Sequence, residues 1–281
     1  MAKPMPWRRR TTVVEAGDTG PAPVPPAFPF PVDPPAPEGP TQPRRRRVAD
    51  AVPLLLLRAA HGKQALLTAA GVALAAAVAG RPGREVGVVF ATVLVGQCIL
   101  GWHNDLVDRD RDRRHDLPGK PIAQGLLDPG TAWFALLCAV LLVVPLSVAT
   151  GVTAGLCYLA SLAIGMVGNL ALRRGLLSWL PWAASFALYP AYLSYGGWGG
   201  ADTGSAPEPV MVVLAAFLGI GVHVLRAVWG LVPDNADGWR SLPLRLGLRL
   251  GASRLLTVTT IYLLLVLGGL CVAGVQVGLS R

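Results

Sequence analysis

Residues 86–116 read VGVVFATVLVGQCILGWHNDLVDRDRDRRHD: an apolar stretch without a formal charge runs straight into the densest cluster of charge in the chain. A stretch of that length and composition is a candidate membrane span, so the carboxylates after it stand where a lipid-embedded helix meets water. Continued as a helix, the segment turns 100° per residue and brings Asp105, Asp108, Asp112 and Asp116 within an arc of roughly 80°. Like charges four residues apart destabilise a helix, the more so where water is partly excluded. That face therefore calls for a cation. Arg109 and Arg113 flank it and Arg111 and Arg114 lie behind it, so one reading is a solvated, salt-bridged helix end. The other is Mg²⁺, a hard ion usually held by one or two carboxylates together with substrate phosphates. The Asn-Asp start, the spacing and the membrane edge favour Mg²⁺ bound on this carboxylate face.

Composition agrees with a membrane-embedded, all-helical chain. Of 281 residues, 53% are hydrophobic and only 15% charged, more apolar sequence than a soluble core requires. The net charge of +9 sits in the N-terminal tail and between apolar stretches, as membrane topology demands, and not in a nucleic-acid-binding stripe. Nucleic acid is excluded as a partner on this ground, and the lipid bilayer is expected as one. Cys98, Cys138, Cys157 and Cys271 all fall inside apolar segments without paired spacing, which reads as packing and not as a disulfide or zinc framework.

Residues 1–48 hold 13 of the 25 prolines and two arginine runs, so a disordered cytoplasmic tail is expected there. Residues 49–281 form the membrane domain. Seven spans are expected in a polytopic helical bundle: Gln64–Ala79 after an amphipathic lead-in from Val52, Val86–His103, Thr131–Thr150, Val152–Leu172, Leu176–Tyr195, Pro209–Val232 and Leu255–Val277. With the N-terminus inside, 22 of the 25 Lys and Arg residues fall on one side. The excess of basic residues on cytoplasmic faces then puts the N-terminus and the acidic segment in the cytoplasm of a multi-pass cell-membrane protein.

Past Asp116 the chain reads LPGKPIAQGLLDPG, where Lys120 is placed to hold a phosphate as a mobile point charge. The exit of the fourth span offers Arg173 and Arg174. A second polar segment, VPDNADGWRSLPLRLG, carries Asp234, Asp237 and Arg240 on the same side as the first. Two more carboxylates there allow a second metal-binding half-site for one diphosphate, or form a turn, since Asp-Asn and Asp-Gly are turn formers. Among the histidines, His103 and His115 adjoin the acidic run, His61 reads as interfacial, and His223 lies within a span, where an interhelical hydrogen bond is the expected role.

The segment Asn104-Asp105-x-x-Asp108-x-x-x-Asp112, followed by Lys120-Pro121, resembles the UbiA-type intramembrane prenyltransferases. LRRGLLSWLPWAASFALYP (172–190) and SLPLRLG (241–247) are similar to that family as well, and the resemblance runs from about Leu54 to Leu246. It implies a prenyl diphosphate donor, Mg²⁺, and a small acceptor that captures the allylic cation. By the same resemblance Asp108, Asp112, Asp234 and Asp237 carry the chemistry. Asn104, Lys120, Arg173, Arg174 and Arg240 bind the diphosphate, and Asn104, Asp105, Asp108, Asp112 and Asp234 are the metal ligands. Aromatic walls would shield and stabilise the cation; Trp102, Trp179, Trp182, Tyr189, Tyr192 and Trp229 are the candidates. Setting Gly238 against the family's second motif makes Asp234 its last carboxylate and leaves Gly230 where its first would stand. The family usually has eight or nine spans, against the seven expected here.

The leading expectation is transfer of a polyprenyl group to an aromatic or quinone-precursor acceptor. Arg226 keeps open a sugar-phosphate or glycerol-phosphate acceptor. Gly230 and the short C-terminal part keep open a catalytically impaired protein that binds prenyl diphosphate. A homo-oligomer would complete a lipid-facing wall left open by the missing spans. A CDP-alcohol phosphotransferase is disfavoured, since no DGxxAR element occurs.

Overall fold

The computed structural model describes residues 51–197 and 204–276. The tail expected to be disordered, residues 1–48, lies outside the described residues. Within them the chain is helical, with no strand. A proline in its first turn starts α1 (Val52–Ala59), and His61, in the left-handed conformation at φ 53°, turns the chain into α2 (Gly62–Val78). Helix α3 (Gly83–Arg114) runs 32 residues and continues unbroken through the acidic segment.

Asp128 opens α4 (Pro129–Val148): its carboxylate accepts the Thr131 N–H, and Pro129 occupies the first turn, where its missing N–H costs nothing. At Gly151, φ is 132°, a conformation favouring glycine, and the chain there reverses into α5 (Val152–Leu170). A 3-10 turn at Leu176–Trp179 leads into α6 (Leu180–Ser194). Then follow α7 (Pro209–Ala227), a 3-10 turn at Val228–Gly230, α8 (Leu231–Ala236), α9 (Leu242–Leu250) and α10 (Ala252–Gln276).

Among the described residues five helical stretches are long and apolar enough to cross a membrane: Gly83–Arg114, Pro129–Val148, Val152–Leu170, Pro209–Ala236 and Ala252–Gln276. The other two expected spans form shorter helices. Helix α2 is apolar but 17 residues long, and α6 has 15 residues because its first turn is wound as 3-10. Of the two prolines inside the expected fifth span, Pro181 sits in the first turn of α6, where it is tolerated, while Pro190 lies within α6, as Pro145 does within α4.

Neighbours in sequence pack on one another: α2 on α3, α3 on α4 and α5, α5 on α6, α6 on α7, and α7 on α10. Helix α2 buries Ala65, Ala69, Ala73 and Ala76, a row of small side chains that lets two backbones approach closely where lipid gives no hydrophobic drive. Val89, Val93, Ile99, Tyr158 and Tyr192 fill the interior, whereas Leu141 and Leu265 point outward, as a lipid-facing wall requires. Helix α3 also passes hard against the joint between α1 and α2. A Cβ at Gly101 would stand 2.5 Å from the Ala60 carbonyl oxygen, so this glycine lets the joint, and His61 with it, close onto α3.

Candidate active site

One turn beyond Gly101, α3 turns three carboxylates inward. Asp105, Asp108 and Asp112 are buried. Asp116, the fourth acid on the expected arc, is not with them: the helix ends at Arg114, and Asp116 takes a left-handed turn at φ 46° that leaves it exposed. Asp105 accepts a hydrogen bond from Lys120 Nζ at 2.6 Å and lies 3.0 Å from His61 Nε2. Lys120 also stands 3.3 Å from Asp112 Oδ2, close enough for ion pairing but without hydrogen-bond geometry. Asp108 pairs with Arg173, which comes from the turn after α5. Burial works against the Lys120 charge, but Asp105 and Asp112 outweigh it and hold the ammonium above its ordinary value.

The second acidic segment meets the first through Arg111. Its Nη2 donates to Asp234 Oδ1 at 2.6 Å and its Nε to Asp237 Oδ2 at 2.5 Å, while His115 Nε2 lies 2.9 Å from Asp237 Oδ1. The Arg111 hydrogen bond, against some desolvation, and then His115 hold the Asp237 carboxyl below the usual carboxylate range. Trp239 is the floor of this cluster, with the Arg111 guanidinium 4.1 Å from its ring centre and those of Arg173 and Arg174 at 5.4 and 5.9 Å. The Arg240 N–H donates to the Arg174 carbonyl at 2.8 Å, which ties the α8–α9 segment to the turn after α5. Its side chain is exposed, like that of Arg174. At Gly230 an added Cβ would meet only the Asp234 carboxylate, at 3.8 Å.

Beneath the carboxylates a cavity opens between α2, α3, α5, α6 and α7. Asn104 stands in its wall with Gln64, Gln97, Trp182, Tyr189 and Arg226. Of the six aromatics expected around a cation, Trp182 and Tyr189 line this space; Gln97 Nε2 donates to the Tyr189 hydroxyl at 3.2 Å. The others are placed elsewhere. Trp229 is 79% exposed on the outer surface, Trp102 donates its indole N–H to the Leu56 carbonyl, and Tyr192 packs on Tyr158. His223 forms the expected interhelical bond, 3.0 Å from Ser178 Oγ, and stacks on Trp182.

Asn104, Asp105, Asp108 and Asp112 offer oxygen donors only, the set that suits Mg²⁺ and not a thiolate- or imidazole-seeking metal. Asp105 Oδ2 is buried and lacks a hydrogen-bond partner, a free acceptor on that face. Among the described residues no three His, Cys, Asp or Glu side chains converge into a metal cage. The donors therefore fit an ion that takes one or two carboxylates and completes its shell with water and phosphate oxygens.

His61 and Arg111 are the residues whose contacts sequence reasoning assigned elsewhere. His61 reads as interfacial until the Gly101 contact brings it to Asp105. Arg111 reads as lying behind the acidic face, and so it does; the second acidic segment comes round to meet it there. Trp239, which three guanidinia share, gave no sequence signal beyond its place between Gly238 and Arg240.

A sequence model described as the UbiA prenyltransferase family matches residues 65–280. Among solved structures, the chain is similar to one described as a UbiA homolog from Archaeoglobus fulgidus bound to GPP and Mg²⁺, at 20% identity and a TM-score of 0.57, covering 75% of this chain and 77% of that one. No curated protein matches.

Proposed function

The chain belongs to the UbiA prenyltransferase family, and from that premise we propose that it transfers a prenyl group from its diphosphate to a small acceptor at the acidic end of α3. The observation that carries this reading is the meeting of two acidic segments far apart in sequence, with Arg111 gripping both Asp234 and Asp237. Asp105, Asp108 and Asp112, with Asn104, would hold Mg²⁺ on one side of the diphosphate, and Asp234 on the other, with Asp237 beside it. When bound, Mg²⁺ offsets the negative charge that gathers on the leaving diphosphate.

Lys120, Arg173, Arg174 and Arg240 are the phosphate-binding groups of this reading. Lys120 and Arg173 are paired with carboxylates in the substrate-free chain. With a metal diphosphate bound, Asp105, Asp108 and Asp112 would hold the metal, and Lys120 and Arg173 would pair with phosphate oxygens instead. The allylic C–O bond then breaks, its electron pair leaving with the diphosphate. The acceptor's nucleophilic atom bonds to the prenyl carbon and gives up its proton. Trp182 and Tyr189 supply ring faces in the cavity below, where water would otherwise intercept the cation.

The leading acceptor is an aromatic or quinone-precursor molecule, and Arg226 in the cavity wall favours a phosphate-bearing acceptor as the second reading. The excess of Lys and Arg on one side supports a site facing the cytoplasm from the cell membrane. The test is diphosphate release and lipid-product formation in membranes containing the full chain, with prenyl diphosphates and acceptors supplied and Mg²⁺ present or chelated. Mg²⁺-dependent product is expected. Unchanged Mg²⁺-dependent transfer after Asp108→Asn with Asp112→Asn would overturn the site assignment, and tight prenyl diphosphate binding without release under any acceptor would point to an impaired enzyme.

A further inference from the structure

Arg226 sits on α7, within a membrane-spanning stretch, and faces the cavity below the carboxylates. Among the described residues it forms no ion pair. The Trp182 ring lies against it, 5.2 Å from the guanidinium to the ring centre. The acid whose charge reaches it, Asp105, is already held by Lys120 and His61. An ionisable group within a span is expensive and faces a partner or a function; Arg111, Lys120 and Arg173 each find a carboxylate, and Arg226 does not. Cation–π contact with Trp182 holds the guanidinium plane without occupying its hydrogen-bond donors.

The surroundings define what those donors would meet. Gln64, Gln97 and Asn169 line the same cavity, an unusual density of amides for a space between spanning helices. Asn104 joins the cavity to the acidic face above. A ligand here is thus polar and small, within reach of the α3 carboxylate end, and bears a group that matches a planar fork of donors: a carboxylate or a phosphate.

We propose that Arg226 is the acceptor-binding residue, anchoring an anionic group of the acceptor in the α2–α7 cavity while the amides bind its remaining polar atoms. The proposal rests on the prenyltransferase reading for the word acceptor, but the binding of an anion at Arg226 stands apart from turnover. It also names a selection rule: acceptors without a negative charge are discriminated against, because they leave the guanidinium unpaired in a cavity away from bulk water.

The test uses the full chain in lipid nanodiscs, with binding of three probes measured by equilibrium dialysis: para-hydroxybenzoate, its neutral amide para-hydroxybenzamide, and glycerol phosphate. The wild type is expected to bind at least one anion about 10-fold or more tighter than the amide, the size of effect a charged hydrogen bond gives. Arg226→Gln is expected to abolish that preference, and Arg226→Lys to restore part of it, with binding of geranyl diphosphate unchanged in both. Preference for the benzoate identifies a carboxylate acceptor, and preference for glycerol phosphate a phosphate one. The proposal is overturned if no anion is preferred over the amide, if Arg226→Gln weakens all three probes alike, or if it weakens geranyl diphosphate as strongly, which would assign Arg226 to the donor. Diphosphate release is followed in the same samples. Anion preference without release under any probe would sink the transferase reading and leave the anion site standing.

Discussion

Arg111 on α3 and Asp234 on α8 are joined by a 2.6 Å charged hydrogen bond, across 123 residues of sequence. The same guanidinium binds Asp237, so a single side chain closes the site between its two acidic segments. Replacing it by Met leaves two carboxylates, each at most 19% exposed, without their strongest partner. The expected cost is about 2–4 kcal/mol of stability, since breaking a mostly buried pair strands the remaining charge. Arg111→Lys is expected to recover less than half, because an ammonium lacks the fork that spans both acids. Thermal unfolding in detergent measures both; a Met variant as stable as the wild type would show that the segments are held together by something else.

Lys120 gives a pH signature of defined sign. Its folded value lies above the ordinary one of 10.5, raised by Asp105 and Asp112 against burial. A group raised on folding stabilises fully below its unfolded value and loses that contribution as pH climbs through the folded value. Comparing the wild type with Lys120→Met, the stability gap is therefore expected to be flat from neutrality to about pH 10 and to shrink above it. A gap that widens with rising pH would contradict the arrangement.

Gly230→Asp tests whether the second acidic segment has room for another ligand. The backbone there, at φ −101°, accepts any residue, and an added Cβ meets only the Asp234 carboxylate at 3.8 Å. The new side chain adds an oxygen donor beside Asp234. The Mg²⁺ concentration for half-maximal diphosphate binding is expected to fall, several-fold at least, while stability without metal drops by a few tenths of a kcal/mol from repulsion between like charges four residues apart. An unchanged Mg²⁺ requirement would remove Asp234 from the metal set.

Gly101→Ala separates packing from chemistry. Its methyl group would meet Ala60 backbone atoms at 2.5 to 2.8 Å, contacts that only backbone movement relieves. A loss of about 1–3 kcal/mol is expected, together with weaker diphosphate binding as His61 is pushed from Asp105. His61→Ala should reproduce the binding defect with a smaller loss of stability. Equal stability losses in the two variants would mean that His61, and not the close approach, holds the joint.

Much of this site was written in local periodicity. The helical arc of Asp105, Asp108 and Asp112 follows from their spacing alone, and the apolar run before them fixes that the helix is embedded. The arc failed at Asp116 because capping, not periodicity, decides where a helix ends. Interhelical geometry was out of reach by the same logic: nothing local says that Arg111 turns towards α8, or that Trp229 faces outward while Trp182, also flanked by apolar residues, faces a cavity. His223 was legible because a polar ring inside a span has few ways to be satisfied, and the structure supplies one of them in Ser178. The length of α6 depended on a 3-10 turn, which hydropathy does not register.

Helix α3 has 32 residues and at 1.5 Å per residue is about 48 Å long, against roughly 30 Å of hydrocarbon. That length leaves room for its acidic end to lie beyond the acyl chains that its apolar run crosses. For the proposed reaction this divides the products between two phases. Inorganic diphosphate departs into water, where it dilutes at once; the prenylated molecule, having exchanged a charged headgroup for its acceptor, stays dissolved in lipid. The two are then seldom at one place together, and the reverse reaction is suppressed by partition, with no gate needed to separate them.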